Sequence, residues 1–139
     1  MLKGIDPLLG PEMLATLRAM GHGDELAIVD GNYPAVAHGR RVVRTDGHGI
    51  VAVLDAILSV FPLDDFVEDA VFLPDAPSPQ SIHEALRGVV AKHDGAARPK
   101  VLAGGRFYDR ARTAYCIVAT SEPLLYANII LRKGVIRPE

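Results

Sequence analysis

Cysteine is nearly missing: Cys116 is the only one in 139 residues, so no internal disulfide is available and the core has to close by packing. Cys116 lies inside the apolar run Tyr115-Cys116-Ile117-Val118-Ala119, which reads as core rather than nucleophile. Charge of one sign is missing too. Lys and Arg number 15 against 17 Asp and Glu, a formal net charge of −2, and the basic residues are scattered instead of gathered into a stripe. That excludes the electrostatic footprint of a nucleic-acid binder. No apolar run approaches membrane length, and Met1-Leu2-Lys3-Gly4-Ile5-Asp6-Pro7 lacks the apolar stretch of a signal peptide, so the expected setting is the cytoplasm and no membrane partner is expected. Low-complexity tracts and internal repeats are absent, and no strand pattern runs into a Gly-x-Gly-x-x-Gly or Walker-type loop. What is there is ordinary globular usage, 49% hydrophobic and 23% charged, in one domain spanning 1–139.

Helix and strand patterns interleave along the chain. Gly10-Pro11-Glu12 opens a helix with Met13, Leu14, Leu17 and Met20 on one face, and Gly21 stops it. Leu26 to Val29 reads as a buried strand and Gly31-Asn32-Tyr33-Pro34 as a loop. Arg41 to Arg44 is a second strand. After the turn Thr45-Asp46-Gly47-His48-Gly49 comes a helix carrying Ile50, Val53, Leu54, Ile57, Leu58 and Phe61, ended by Pro62. Val71 to Leu73 is a strand, Pro74 to Pro79 a loop, and Ser81 with Glu84 has capping-box spacing at the start of a helix whose apolar face is Ile82, Leu86, Val89 and Val90. Val101 to Ala103 is a strand, Arg106 to Arg112 a short helix, and Ala114 to Thr120 and Asn128 to Arg132 two further strands. The alternation predicts a layered α/β fold.

The stretch with most chemical promise is Gly21-His22-Gly23-Asp24-Glu25, leading into Leu26-Ala27-Ile28-Val29-Asp30. Glycine on both sides of His22 removes neighbouring side chains and frees the backbone, which suits an imidazole that meets a ligand closely. Asp30 falls at a strand's carboxyl end, where open α/β sheets place ligands. Read locally, His22 also fits a loop histidine satisfied by backbone, and Asp30 a strand-end turn residue. A metal site from His22, Asp24 and Asp30 has permissive spacing, but no further His or Cys cluster completes a coordination sphere, so no metal is expected. Asp46 and His48 read as turn residues, and His38, His83 and His93 are assigned no chemistry.

Met20-Gly21-His22-Gly23-Asp24-Glu25 with Asp30, Phe107-Tyr108-Asp109-Arg110-Ala111, and Tyr126-Ala127-Asn128-Ile129-Ile130-Leu131-Arg132-Lys133-Gly134-Val135 together resemble the fucose mutarotase / ribose pyranase family. Met1-Leu2-Lys3-Gly4-Ile5 and Val43-Arg44-Thr45-Asp46-Gly47 extend the likeness over nearly the whole chain. The His22 segment looks closer to the fucose branch, since the ribose branch usually has threonine where Gly23 stands. The resemblance implies a single-domain three-layer α/β/α fold with a central sheet, and a cofactor-independent isomerase that interconverts anomers of a free monosaccharide. L-fucose comes first and D-ribose, or another sugar, is the alternative. It also implies a homo-oligomer, a decameric ring with sugar sites completed across subunit boundaries. By position, His22 matches the acid/base histidine, Asp30 a ligand-binding aspartate, and Tyr126 with Asn128 the binding segment near the C-terminus. Fucose-type members carry a binding arginine at what would be Gly104. Here Arg106 stands directly before Phe107 and is carried as the sugar ligand, with Arg110 the alternative.

The residue types suit that chemistry. Opening a cyclic hemiacetal takes a proton from the anomeric hydroxyl and gives one to the ring oxygen of the same carbon. With a reference pKa of about 6.5, histidine offers both protonation states near neutrality, and such positioned groups contribute roughly 10²- to 10⁴-fold. Asp30 would hold a sugar hydroxyl or orient the imidazole, while Tyr126, Asn128 and an arginine give directional hydrogen bonds. A non-catalytic sugar-binding module would keep Asp30, Tyr126 and Asn128 without depending on His22.

Overall fold

The computed structural model describes residues 1–139. In chain order the elements are α1 (Pro11–Ala19), β1 (Glu25–Val29), α2 (Ala35–His38), β2 (Val42–Thr45), α3 (Ile50–Leu58), β3 (Val71–Pro74), α4 (Ser81–His93), β4 (Lys100–Leu102), α5 (Arg106–Thr113), β5 (Cys116–Thr120) and β6 (Ile129–Arg132). The strands make one six-stranded sheet in the order β2-β5-β1-β6-β3-β4. All pairings are parallel except those of β6, which runs antiparallel between β1 and β3. Two helical layers cover it, so the fold is the three-layer α/β/α arrangement.

The layers follow from the strand's period of two. Leu26 and Ile28 of β1 face one side with Met13 and Leu17 of α1, Val53, Leu54 and Ile57 of α3, and Leu86 and Val90 of α4. Ala27 and Val29 face the other, under Ala35 of α2 and Phe107 and Ala111 of α5. The helices contribute small alanines to this second cluster, Ala35 and Ala111, over a sheet face with Val29, Phe72, Ile117 and Ile130, so Phe107, with no exposed surface, is their chief apolar anchor. Truncating such a buried ring costs about 3–5 kcal/mol.

Two local readings are corrected. Ser81 is the first residue of α4, Gln80 occupies the cap, and no side chain bonds there, so the capping box does not form. Phe61 lies beyond the end of α3 at Leu58, its amide still bonded to Ile57 O at 3.0 Å. The loop Gly31–Pro34 is followed by the single helical turn Ala35–His38, too short to show periodicity. The start of α3 is instead capped from afar: the buried Glu122 accepts a hydrogen bond from the Ile50 amide at 3.2 Å, and a Cβ on Gly49 would stand 3.1 Å from that carboxylate.

Candidate active site

Candidate site residues gather at both ends of the sheet. At the entry end, where β1 begins and β6 finishes, the chain from Gly21 to Asp24 is stitched to the tail of β6. Gly23 donates to Lys133 O at 2.9 Å and Lys133 to Asp24 O at 2.9 Å. Lys133 also sends its ammonium into the open carbonyls of α1, Leu17 O at 2.7 Å and Met20 O, where a cation suits the helix dipole. Gly23 has φ +88°, and a Cβ there would meet the Arg132 guanidinium at 3.1 Å. The residue after His22 is thus a glycine for conformation and space alike. Asp24 is occupied locally, accepting from the Gly21 amide at 2.7 Å.

His22 projects from this turn half open to solvent, its side chain 42% exposed. Beneath it lies Asp64, which has no exposed side-chain surface. His22 Nε2 donates to Asp64 Oδ1 at 3.0 Å, the Phe66 amide donates to the same oxygen at 3.0 Å, and Arg132 Nε donates to Oδ2 at 2.8 Å. Burial alone pushes the Asp64 carboxyl up, but the bonds from Arg132, Phe66 and His22 outweigh it and hold it at about 2. The Phe66 ring leans on the imidazole at 4.9 Å between centroids. Asp64 reaches this place because Leu63 bridges to Lys133, the Asp64 amide donates to Arg132 O at 3.0 Å, and that of Gly134 to Pro62 O at 2.8 Å.

At the exit end, where β1 finishes and β6 begins, Asp30 is buried. Its amide donates to Asn128 Oδ1 at 2.8 Å and its carboxylate accepts from the Asn32 amide at 2.8 Å. Burial raises its carboxyl above the usual range by more than the Asn32 amide, the Asn128 side chain and the Tyr33 amide lower it, and Glu122 adds repulsion. Tyr126 stands beside this pair in the left-handed region, φ +59°, with its carbonyl accepting from the Asn128 amide at 2.9 Å and from His83 Nε2 at 2.7 Å. A carbonyl only accepts, so His83 carries its proton on Nε2.

The structure therefore joins Asp30, Tyr126 and Asn128 and leaves His22 apart from them. The five residues of β1 at about 3.3 Å each separate the two ends by roughly 16 Å. Asp30 does not orient the imidazole; Asp64 does. Nor do His22 and Asp30 meet around one ion within a chain. The arginines also divide. Arg110 grips Glu25 with both arms, at 2.8 and 2.6 Å, over the Phe72 ring at 3.7 Å, and is spent on holding α5 to β1. Arg106 is exposed at the start of α5, in a shallow pocket with Lys100, Ala103 and Asp109 at the exit end. It lies three strands from β1, about 14 Å across at ~4.8 Å per strand. Asp64 and His83 carry no local sequence signal: their partners are 42 and 43 positions away.

A six-stranded sheet between two helical layers, with a held histidine at one end and a cluster of buried hydrogen-bonding side chains at the other, defines a small single-domain α/β protein. The sequence profile of the RbsD / FucU transport protein family matches residues 3–136, and the chain belongs to that family. It is 41% identical over 141 residues to the L-fucose mutarotase of Actinobacillus pleuropneumoniae, covering 97% of each chain. The structure of FucU from Bifidobacterium longum superimposes with a TM-score of 0.91 at 43% identity, over 97% of this chain and 100% of that one. The fucose mutarotase of Streptococcus pneumoniae, solved in complex with L-fucose, gives a TM-score of 0.87 at 37% identity, over 98% and 100%.

Proposed function

We propose that the chain is a mutarotase that interconverts the α and β anomers of L-fucose by general acid/base catalysis at His22, with no metal and no organic cofactor. The observation that carries this reading is the histidine itself. It stands on a turn fixed by backbone bonds, its Nε2 committed to Asp64 and its side chain half open to solvent, in a chain whose full-length relatives are named fucose mutarotases. The anomeric O1–H proton passes to the imidazole as the C1–O1 double bond forms and the C1–O5 bond breaks, its electron pair going to O5. The imidazole returns the proton to O5, which until that step was bonded to the same carbon. Rotation about C1–C2 presents the other carbonyl face, and the reverse transfers close the second anomer.

Asp30, Arg106, Tyr126 and Asn128 bind the sugar hydroxyls in this proposal. Their distance from His22 means that one sugar meets both groups only if the entry end of one copy sits on the exit end of the next. The exposed apolar side chains support such a head-to-tail contact: Phe66 at 62% flanks His22, while Leu124 at 49% and Leu125 at 60% precede Tyr126. Repeated around an axis, that contact closes a ring, and two stacked rings give the proposed decamer. No helix is long and apolar enough to cross a membrane, and a cytoplasmic setting completes the proposal.

Saturation-transfer NMR tests it, because exchange between anomers leaves concentrations unchanged. Transfer between the anomeric signals of L-fucose, faster than for D-ribose and undiminished by chelator, is the expected result. Binding without transfer would leave a sugar-binding module instead, and preferential transfer in D-ribose would make it a pyranase.

A further inference from the structure

We infer that His83 is the positioning residue of the sugar-binding segment, holding the Tyr126 peptide in the left-handed conformation from which Tyr126 and Asn128 meet the sugar. The inference rests on the mutarotase reading for its ligand, and it adds to that site a residue the family likeness does not mark.

Tyr126 is the one non-glycine residue of the chain with a positive φ, +59°. For a residue with a Cβ that conformation is disfavoured roughly 5- to 30-fold, a penalty glycine would escape. Strained residues persist where their surroundings over-determine them, and they cluster at ligand clamps. The Tyr126 carbonyl accepts two hydrogen bonds, from the Asn128 amide at 2.9 Å and from His83 Nε2 at 2.7 Å. The first lies within the segment and moves with it. The second comes from α4, 43 positions away, whose first turn is seated in the core by Ile82 and Leu86. Downstream, Asn128 Oδ1 accepts from the Asp30 amide at 2.8 Å. Upstream, the next tie is the Leu124 amide on Glu122 Oε1 at 3.2 Å, two residues back. His83 is therefore the one side chain that grips the Tyr126 peptide itself. Without it, Tyr126 relaxes toward the right-handed region, the fraction of the free protein ready for sugar falls, and affinity falls by that fraction. Turnover of bound sugar is spared, because proton transfer belongs to His22 at the other end of the sheet.

His83→Phe keeps a flat ring and removes the donor. L-fucose binding by calorimetry should weaken about 5- to 30-fold, and KM for anomer exchange should rise by the same factor, while the exchange rate at saturation changes by less than about threefold. His83→Gln, whose amide reaches the same carbonyl, should bind within about threefold of the unsubstituted chain, and His83→Asn, one bond shorter, should bind as weakly as His83→Phe. A lower thermal midpoint with Kd and KM unchanged in His83→Phe would reduce His83 to packing and overturn the inference, as would equal binding by the Gln and Asn variants. If His83→Phe does not fold, that pair decides. Tyr126 φ, read without sugar from scalar couplings and carbon-13 shifts of the labelled protein, should leave the left-handed region in His83→Phe and His83→Asn, and an unchanged φ overturns the inference. A chain that binds neither L-fucose nor D-ribose would sink the mutarotase reading alone, since the φ measurement needs no sugar.

Discussion

The entry and exit ends of this sheet are made of the same currency, carboxylates and their donors, arranged to opposite effect. At the entry end Asp64 is ringed by an arginine, an amide and an imidazole, and its carboxyl is held at about 2. At the exit end Asp30 has amides and an asparagine but no cation, sits close to Glu122, and is raised. Burial is common to both, so the difference lies in whether a full positive charge accompanies it. A carboxylate kept ionised can anchor a base. One raised by burial, with no internal cation to satisfy it, is better suited to receiving hydroxyl groups from outside.

The most severe way to break the comparison is to remove one end at a time. His22→Gln should lower anomer exchange by about 10²- to 10⁴-fold while L-fucose binding, measured by calorimetry, persists. Asp30→Asn should instead weaken binding by about tenfold or more, as for a lost charge-assisted bond. If each sugar site draws on two copies, unfolding the two variants together and refolding them should restore about a quarter of the sites. Two variants that stay inert together, in oligomers shown by mass to be mixed, would contradict the shared site.

A smaller effect separates packing from chemistry. Gly134 lies where a Cβ would be 2.4 Å from Leu63 O and 2.9 Å from Asp64 Cα, so Gly134→Ala should cost about 1–3 kcal/mol of overpacking in urea denaturation. Exchange should fall with it, because Asp64 is what moves.

The pH response should divide by sign. Asp64 titrates at about 2 in the fold against 3.8 ordinarily, so its share of stability is complete above about pH 4 and is lost as the pH falls toward 2. Asp30 is displaced upward from 3.8. The fold holds its proton more firmly than the unfolded chain does, and its ionisation costs stability as the pH climbs past that value. Urea midpoints across this range should lose their acid-side fall in Asp64→Asn and their opposing trend in Asp30→Asn.

Least in size is a pair of glycines. Gly104, at the exit end, has φ +60° and nothing within 4 Å of an added Cβ, so Gly104→Ala should cost only the conformational strain, about 1 kcal/mol. Gly23→Ala adds the crowding of Arg132 and should cost about 1 kcal/mol more, readable as a lower thermal midpoint.

Much of this was legible in the chain. Glycines around His22, the apolar periods of α1, α3 and α4, and the alternation of helix and strand gave the layers, because each is written within a few residues. The family likeness marked Asp30, Arg106, Tyr126 and Asn128 and implied sites shared between copies, and the strand pattern set His22 and Asp30 at opposite ends of β1, but spacing along a strand does not reveal which side chains of other elements meet each of them. Asp64 was hidden in a coil segment with no periodicity. Its role comes from lying beside Arg132, 68 positions on. Arg110 looked like a ligand for the same reason: its partner Glu25 is 85 positions back.

The antiparallel strand has a consequence for how the molecule comes into being. β6 is synthesised after the other five strands, yet it occupies an inner place, between β1 and β3. Until Ile129–Arg132 leaves the ribosome, the nascent chain can form β2-β5-β1 and β3-β4 only as separate ribbons with bare inner margins, one of them fully apolar in Val71-Phe72-Leu73. Such margins pair readily with other chains. Closing the sheet in one late step also delivers Asn128, Arg132 and Lys133 together, so both ends of the sheet mature at the same moment, and a ribosome stalled shortly before residue 129 would expose a sticky intermediate rather than a partly working protein.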